Sequence, residues 1–337
     1  MSLLRKRTLI PLLIALAVIA SIGVALFLRA KAPPEAARLL PESDAIIYIH
    51  LKTVREATHF DTSPVTRSPD FQHFIDATGI VPERDLDSVA FALHRMPDPR
   101  GPNGPVAYSE VFTGPFDGQR LATYLASIAS AQESYAGAII YTIPIEGRSL
   151  RIAQLGYDTI AASNMPTAEQ VHSMIDRSRA SALGTPGSSL LARYFHQVPL
   201  LSQAWGIGHI GLPFSQNGFI SLFGLQLPLP EDTDLVASLR FTTSAHLRVE
   251  EFAPNPTSAA NTTDALNTLL GILRGIATAQ PPHNASDAAL RAIIDSVVID
   301  HHDSHADLNA TATVDQLKAL TTAHDPTTEP PPAPPQH

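Results

Sequence analysis

The feature that most constrains this chain is an uncharged apolar run near its N-terminus. Residues 8–28 read TLIPLLIALAVIASIGVALFL, and basic residues flank them on both sides. As an α-helix these 21 residues would be about 31 Å long, which matches a hydrocarbon core about 30 Å thick. The pattern therefore predicts one transmembrane helix over 8–28, with residues 1–7 as a cytoplasmic tail and a domain attached on the other side.

A cleaved secretory signal is the alternative for this run, because Ala30-Lys31-Ala32 has the small-x-small form of a cleavage site. The run is longer than the roughly 7 to 15 apolar residues of a signal peptide, and Pro33 would follow the cut. We therefore favour a retained signal anchor. The dense basic tail, Arg5 to Arg7, favours an N-terminus in the cytoplasm. The predicted location is the inner (cytoplasmic) membrane, single-pass, with the domain facing the periplasm or the exterior.

Composition excludes several classes of function. The chain has no cysteine, so disulfides, thiolate metal sites and cysteine nucleophiles are excluded. After residue 31 there are 18 bases against 32 acids, a formal charge of −14. Nucleic-acid phosphates are bound chiefly by clustered Lys and Arg, so no nucleic-acid partner is expected. The sequence also predicts no cofactor, and its expected partner is the lipid bilayer through residues 8–28.

Proline and charge patterns divide the rest of the chain. Residues 29–43 contain three prolines and are predicted to form an extended tether. Residues 325–337 are Pro-rich and lack large apolar side chains, which predicts a disordered tail. Between them we expect a first part over 44–230 and a second part over 231–324.

Adjacent strand signals predict antiparallel sheets with packed helices, an α+β fold. The predicted strands are Ala45–Leu51, Ser88–Leu93, Val106–Phe112, Ala138–Ile143, Leu150–Leu155 and Thr159–Ala162. Apolar residues at helical spacing follow Asp117, namely Leu121, Tyr124, Leu125 and Ile128. Further helical segments are predicted over Asp70–Thr78, Thr262–Ala279 and Asp287–Ile294.

A repeated order of elements predicts two similar βαββα-like halves. A strand pair opening at Ser88 is followed by a helix near Asp117, and a pair opening at Ser296 is followed by a helix near Asp315. A chance match between two short patterns is the alternative interpretation.

One internal stretch, residues 194–230, contains no Asp, Glu, Lys or Arg. We call it the uncharged segment. Its glycines and prolines exclude a second membrane-spanning helix. One interpretation is buried strands and loops at the centre of the sheet. The other is an exposed face that binds a protein or an apolar ligand, for which the candidate residues are Trp205, Phe214, Phe219 and Phe223.

Motifs of known chemistry are weak. Gly206, Gly208 and Gly211 have the spacing of a dinucleotide loop, but Leu212-Pro213 follows in place of a helix. The densest polar cluster spans 300–307 and offers candidate metal ligands at His301, His302, Asp303 and His305. A polar turn between two strands explains the same residues without an ion.

Residues 39–51, LLPESDAIIYIHL, resemble the opening of a loose group of bacterial membrane-anchored envelope proteins of unknown function. In that group a Leu-Pro turn leads into the first strand of the exported domain. The resemblance implies a strand that starts just outside the membrane, and it implies no activity.

The sequence thus predicts a membrane-anchored extracytoplasmic protein that acts by binding or as an envelope component, with no catalytic residue assigned. The alternative is an anchored hydrolase or metal-dependent enzyme that uses the cluster from His301 to Asp307.

Overall fold

The computed structural model describes residues 31–62, 66–145, 147–180, 187–209, 215–216, 219–222, 225–228, 233–279 and 282–322. The predicted cytoplasmic tail, transmembrane helix and Pro-rich tail lie outside these ranges. Of the helices that the ranges contain, none is long and apolar enough to cross a bilayer.

The strands form one large sheet and one small sheet. They are β1 (Ala45–Ile49), β2 (Ser88–Arg95), β3 (Val106–Thr113), β4 (Ala131–Tyr135), β5 (Ala138–Ile145), β6 (Arg148–Gln154), β7 (Thr159–Ser163), β8 (Ala204–Gly208), β9 (Ser215–Gln216), β10 (Phe219–Leu222), β11 (Leu225–Pro228), β12 (Asp234–Phe241), β13 (Ser244–Phe252), β14 (Val298–His302) and β15 (His305–Thr313). The large sheet has twelve strands in the order β14-β15-β13-β12-β8-β1-β2-β3-β7-β6-β5-β4, and the small sheet has the order β11-β10-β9.

Helices pack on this sheet. They are α1 (Glu35–Leu39), α2 (Leu51–Thr58), α3 (Pro69–Thr78), α4 (Pro82–Asp85), α5 (Gly118–Ile128), α6 (Glu169–Ala180), α7 (Ser189–Tyr194), α8 (Pro256–Ala279), α9 (Ala285–Ser296) and α10 (Val314–Thr322), with 3-10 turns at Phe60–Thr62 and Phe195–Gln197. Neighbouring strands of the large sheet are antiparallel. The predicted α+β class, antiparallel strands with packed helices, is confirmed.

The two faces of the large sheet carry different helices. Directly paired residues share a face, so Tyr48 and its partner Trp205 point to one side, which we call the back face. Helices α1, α6 and α7 pack there in one buried cluster. On the opposite, front face, α3 and α5 cover β3 and β5 to β7. Helix α8 also lies on the front face, where Thr262 Oγ1 is 3.2 Å from Glu251 Oε1 of β13.

The first strand ends earlier than predicted because a helix begins at its end. The imidazole Nδ1 of His50 accepts a hydrogen bond from the backbone N–H of Thr53 at 3.2 Å and so caps α2. Strand β1 therefore stops at Ile49, although the apolar pattern continues through Leu51.

The predicted extended tether over 29–43 is wrong from residue 35 onward. Residues 35–39 form α1, in which Ala37 is completely buried, and Leu40 beyond it is completely buried as well. The sequence EAARL has strong helix formers, and the prolines at 33, 34 and 41 flank the helix without interrupting it. Only residues 29–34 therefore lie between the predicted membrane span and the first helix that is packed in the core.

The aromatic centre of the core lies on the back face of β1 and β8. Trp205 stacks on Tyr48 with ring centroids 5.4 Å apart, and Phe195 meets it edge-on at 5.3 Å. Trp205 is only 4 % exposed. It is therefore a core residue, and its predicted place on an exposed binding face is corrected.

We expect Trp205→Ala to lower the free energy of unfolding by about 3–5 kcal/mol, because it removes the largest side chain of this cluster and leaves a cavity. Urea unfolding of the isolated domain measures the change. Tyr157→Ala is the matched control, since Tyr157 is 95 % exposed, and its effect should stay within about 0.5 kcal/mol. A Trp205→Ala variant as stable as the control would contradict the placement in the core.

Candidate functional site: the base of an uncharged insertion

A long insertion, uncharged up to Pro230, lies in the chain between two strands that are neighbours in the large sheet. Strands β8 and β12 pair directly, with Gly208 opposite Leu235. The chain nevertheless leaves the sheet after Gly208 and returns only at Asp234, where β12 begins. Residues 210–232, which we call the insertion, contain β9, β10 and β11, and these pair only with one another among the described strands.

At the N-terminal end of the insertion the backbone bends sharply at Gly208. Gly208 has φ +87°, and a Cβ at this position would lie 2.5 Å from the carbonyl oxygen of Asp44. Only glycine fits this combination of left-handed backbone and close approach. The next residue, His209, donates its backbone N–H to the same Asp44 carbonyl at 2.9 Å.

His209 and Asp234, which flank the two ends of the insertion, form an ion pair. The imidazole Nδ1 of His209 lies 2.7 Å from Asp234 Oδ1, although this nitrogen makes no hydrogen bond of regular geometry. The hydroxyl of Tyr194, from α7, donates to the other carboxylate oxygen, Oδ2. Three elements, α7, β8 and β12, therefore converge on one carboxylate at the point where the insertion begins and ends.

The Asp234 carboxylate affects the pKa values of both side chains that contact it, His209 and Tyr194. Contact with the carboxylate raises the pKa of His209, and burial opposes the rise only in part. The imidazole in turn lowers the pKa of Asp234, against the effect of burial. Burial, together with the same carboxylate, raises the pKa of the Tyr194 hydroxyl. The arrangement favours a charged His209 and a charged Asp234 side by side.

We expect the stabilising effect of this ion pair to depend on pH in both directions. The pKa of folded His209 is raised above 6.5, so its contribution is complete below pH 6.5 and is lost as the pH rises through the folded pKa. The pKa of folded Asp234 is lowered below 3.8, so its contribution is complete above pH 3.8 and is lost as the pH falls through the folded pKa. The pair should thus contribute most between about pH 4 and 6.5.

Urea unfolding of His209→Gln tests this expectation. The variant should lose about 1 kcal/mol near pH 5.5 and less near pH 9, since a half-buried pair is worth little more than a surface one. His301→Gln, at an exposed position of β14, is the control and should show no such difference. A His209→Gln deficit that is equal at both pH values would contradict the charged pair.

The aromatic candidates of the uncharged segment are not all placed together. Trp205 lies in the core, as described above. Phe214 and Phe223 lie outside the described residues. Phe219 opens β10 opposite Pro228, and its side chain is not among those described. The described part of the segment therefore divides at Gly208 into a first part, which is buried over 205–208 and exposed at Leu200 and Leu201, and the insertion beyond it.

The histidine candidates lie on a β-hairpin at the edge of the large sheet. His302 of β14 is directly opposite His305 of β15, and Asp303 in the turn has φ +50°. His305 packs edge-on against Phe252 at 4.7 Å. Among the residues that the structure describes, no three His, Asp or Glu side chains come together as a group able to hold a metal ion. A polar two-residue turn accounts for this cluster.

Sequence reasoning missed the residues at the base of the insertion. His209 lies inside the uncharged segment and Asp234 just beyond it, and only the pairing of β8 with β12 brings them together. It also missed Glu110, an acid on the apolar front face, whose pKa burial raises to about 6. Its position between Tyr108 and Phe112 in an alternating strand was the available signal.

Comparison with known proteins adds fold similarity only. No protein-family model matches the chain, and no curated protein matches it. Among solved structures it is similar to the protein TP0453. Crystal form III gives a TM-score of 0.48 at 9 % identity over 86 % of this chain and 99 % of that one. Form I gives 0.43 at 10 % identity, with 87 % and 98 % covered, and form IV gives 0.42 at 9 %, with the same coverage. A likeness at this level assigns neither a family nor a function.

Proposed function

We propose that this protein is a single-pass, membrane-anchored, extracytoplasmic binding protein of the cell envelope, and that the insertion at 210–232 is its contact surface. The observation that carries the proposal is the place of the insertion. Strands β8 and β12 are already in register, so a short turn would be enough to join them. The chain adds a separate three-stranded sheet instead.

The chemistry of the insertion supports contact with a partner. It contains no charged residue until Glu231 and carries Phe214, Phe219 and Phe223. Interface cores are depleted of charge and enriched in aromatic residues. Trp205 no longer belongs to the proposed surface. The alternative of a metal-dependent hydrolase draws no support from the hairpin that carries His302 and His305.

We also propose that the domain consists of two related halves that meet at β1 and β8, which supports a structural or binding role. Each half begins with three strands in series, β1-β2-β3 or β8-β12-β13. Helices on the front face follow, α5 in one half and α8 with α9 in the other. A returning strand, β7 or β15, then pairs with the third strand. In this scheme the equivalent of β2-β3 is β12-β13, and not the β14-β15 pair matched from the sequence.

Membrane attachment is tested by fractionation of cells that express the full chain. We expect the protein to stay in the membrane pellet after an alkaline carbonate wash. Protease added outside spheroplasts should digest the domain. Deletion of residues 8–28 should release the protein into the soluble fraction, because the apolar span provides the attachment. Recovery of a mature chain in the wash, without its first thirty or so residues, would contradict the anchor.

The contact surface is tested by a photo-crosslinking amino acid placed at Phe219 in the full-length protein in cells. We expect a discrete adduct of higher mass, because interface residues are held against the partner. The same amino acid at Tyr157, a fully solvent-facing residue of the large sheet's β6–β7 turn, is the control and should give no discrete adduct.

The free energy of unfolding of a Phe219 variant distinguishes an insertion that binds a partner from one that is part of the hydrophobic core. We expect Phe219→Ala to change the free energy of unfolding by less than about 1 kcal/mol if the side chain serves a partner. A loss of several kcal/mol, with no adduct at position 219, would show that the insertion is part of the hydrophobic core and would overturn the proposal.

A further inference from the structure

The connection between the predicted membrane span and the core is short. This inference rests on the proposed anchor. The span ends at residue 28, and α1 begins at Glu35 with Ala36 and Ala37 already buried. Six residues, 29–34, can reach about 20 Å when fully extended. The bilayer surface must therefore lie within about 20 Å of the N-terminus of α1.

The place of α1 decides which side of the domain is close to the bilayer. Helix α1 contacts β1, β2 and β3 on the back face and lies beside α6. Helix α5 lies on the front face, beyond the sheet. Helix layers on opposite faces of one sheet are roughly 20 Å apart between their axes. With the sheet parallel to the bilayer and α1 on the membrane side, the back-face helices are therefore within reach of the bilayer and the front-face helices are not.

Charge agrees with this orientation. The connection, α1, α6 and α7 carry more bases than acids, namely Arg29, Lys31, Arg38, Arg177, Arg179 and Arg193 against Glu35, Glu169 and Asp176. The chain after residue 31 is strongly acidic, with a formal charge of −14. An anionic lipid surface repels acidic protein and attracts a surface with an excess of bases.

The insertion begins and ends beside α7, and its last strand lies on the front-face side of the domain. Strand β11 of the insertion lies against α8, and α8 covers the front face of β13. A partner bound there approaches from the side opposite α1 and α6.

We propose that the back-face helix layer of α1, α6 and α7 lies against the lipid headgroups of the anchoring bilayer, so that the insertion faces away from the membrane. The partner of the insertion is then a molecule of the extracytoplasmic space, and not the lipid of the anchoring membrane.

The absence of native cysteine allows a direct test with single labels. Ser173→Cys places a fluorophore on α6, and Ala126→Cys places the same fluorophore on α5 as the matched control. The full-length chain is reconstituted in vesicles of equal parts phosphatidylcholine and phosphatidylglycerol that carry a headgroup-attached energy acceptor. We expect quenching at position 173 to be at least twice that at position 126. Thr167→Cys, at an exposed site just before α6, replaces Ser173→Cys if that variant does not fold.

Three outcomes separate this inference from the anchor itself. Protein that floats with the vesicles and is quenched more strongly at position 173 supports the orientation. Protein that floats but is quenched equally at both positions, or more strongly at position 126, overturns the orientation and leaves the anchor intact. Protein that does not float with the vesicles overturns both.

Discussion

The antiparallel pairing of β1 with β8 holds the structure together. These strands come from distant parts of the chain, and their contact joins the strands before and after residue 200 into one twelve-stranded sheet. The Tyr48–Trp205 stack sits directly on this pairing. Without it, each set of strands would expose another edge, and exposed sheet edges are prone to aggregation. The pairing also places Gly208 beside Asp44 and so positions the base of the insertion.

The entry of the chain into the core is equally rigid. Glu42, just after α1, accepts hydrogen bonds from Ser189 of α7 and pairs with Arg177 of α6. Burial alone would raise the pKa of the Glu42 carboxyl, but the hydrogen bonds from Ser189 and the nearby Arg177 lower it. The segment next to the predicted span is thus fastened to two helices of the back face. The position of this segment relative to the back-face helices is therefore fixed.

Stability and proposed function occupy different parts of the uncharged segment. Its first half runs through Gly208 and supplies the core residues Trp205 and Ile207, whereas Leu201 is exposed, and the insertion leaves the sheet between two strands that pair with each other. The His209–Asp234 contact joins the two ends of the insertion, whose residues 210–230 carry no charge.

The sequence by itself determined the elements with strong local signals: the six predicted strands, the amphipathic helix after Asp117, and the helices over Asp70–Thr78, Thr262–Ala279 and Asp287–Ile294 all correspond to observed elements. Strand β4 (Ala131–Tyr135) had no such signal, because it is an exposed strand at the edge of the sheet. It is a strand because it pairs with β5. Only the tertiary structure decided that Trp205 is buried, that residues 35–39 form a helix inside the core, and that His209 meets Asp234. These facts depend on contacts between residues far apart in the chain, which periodicity and composition within a short window do not encode.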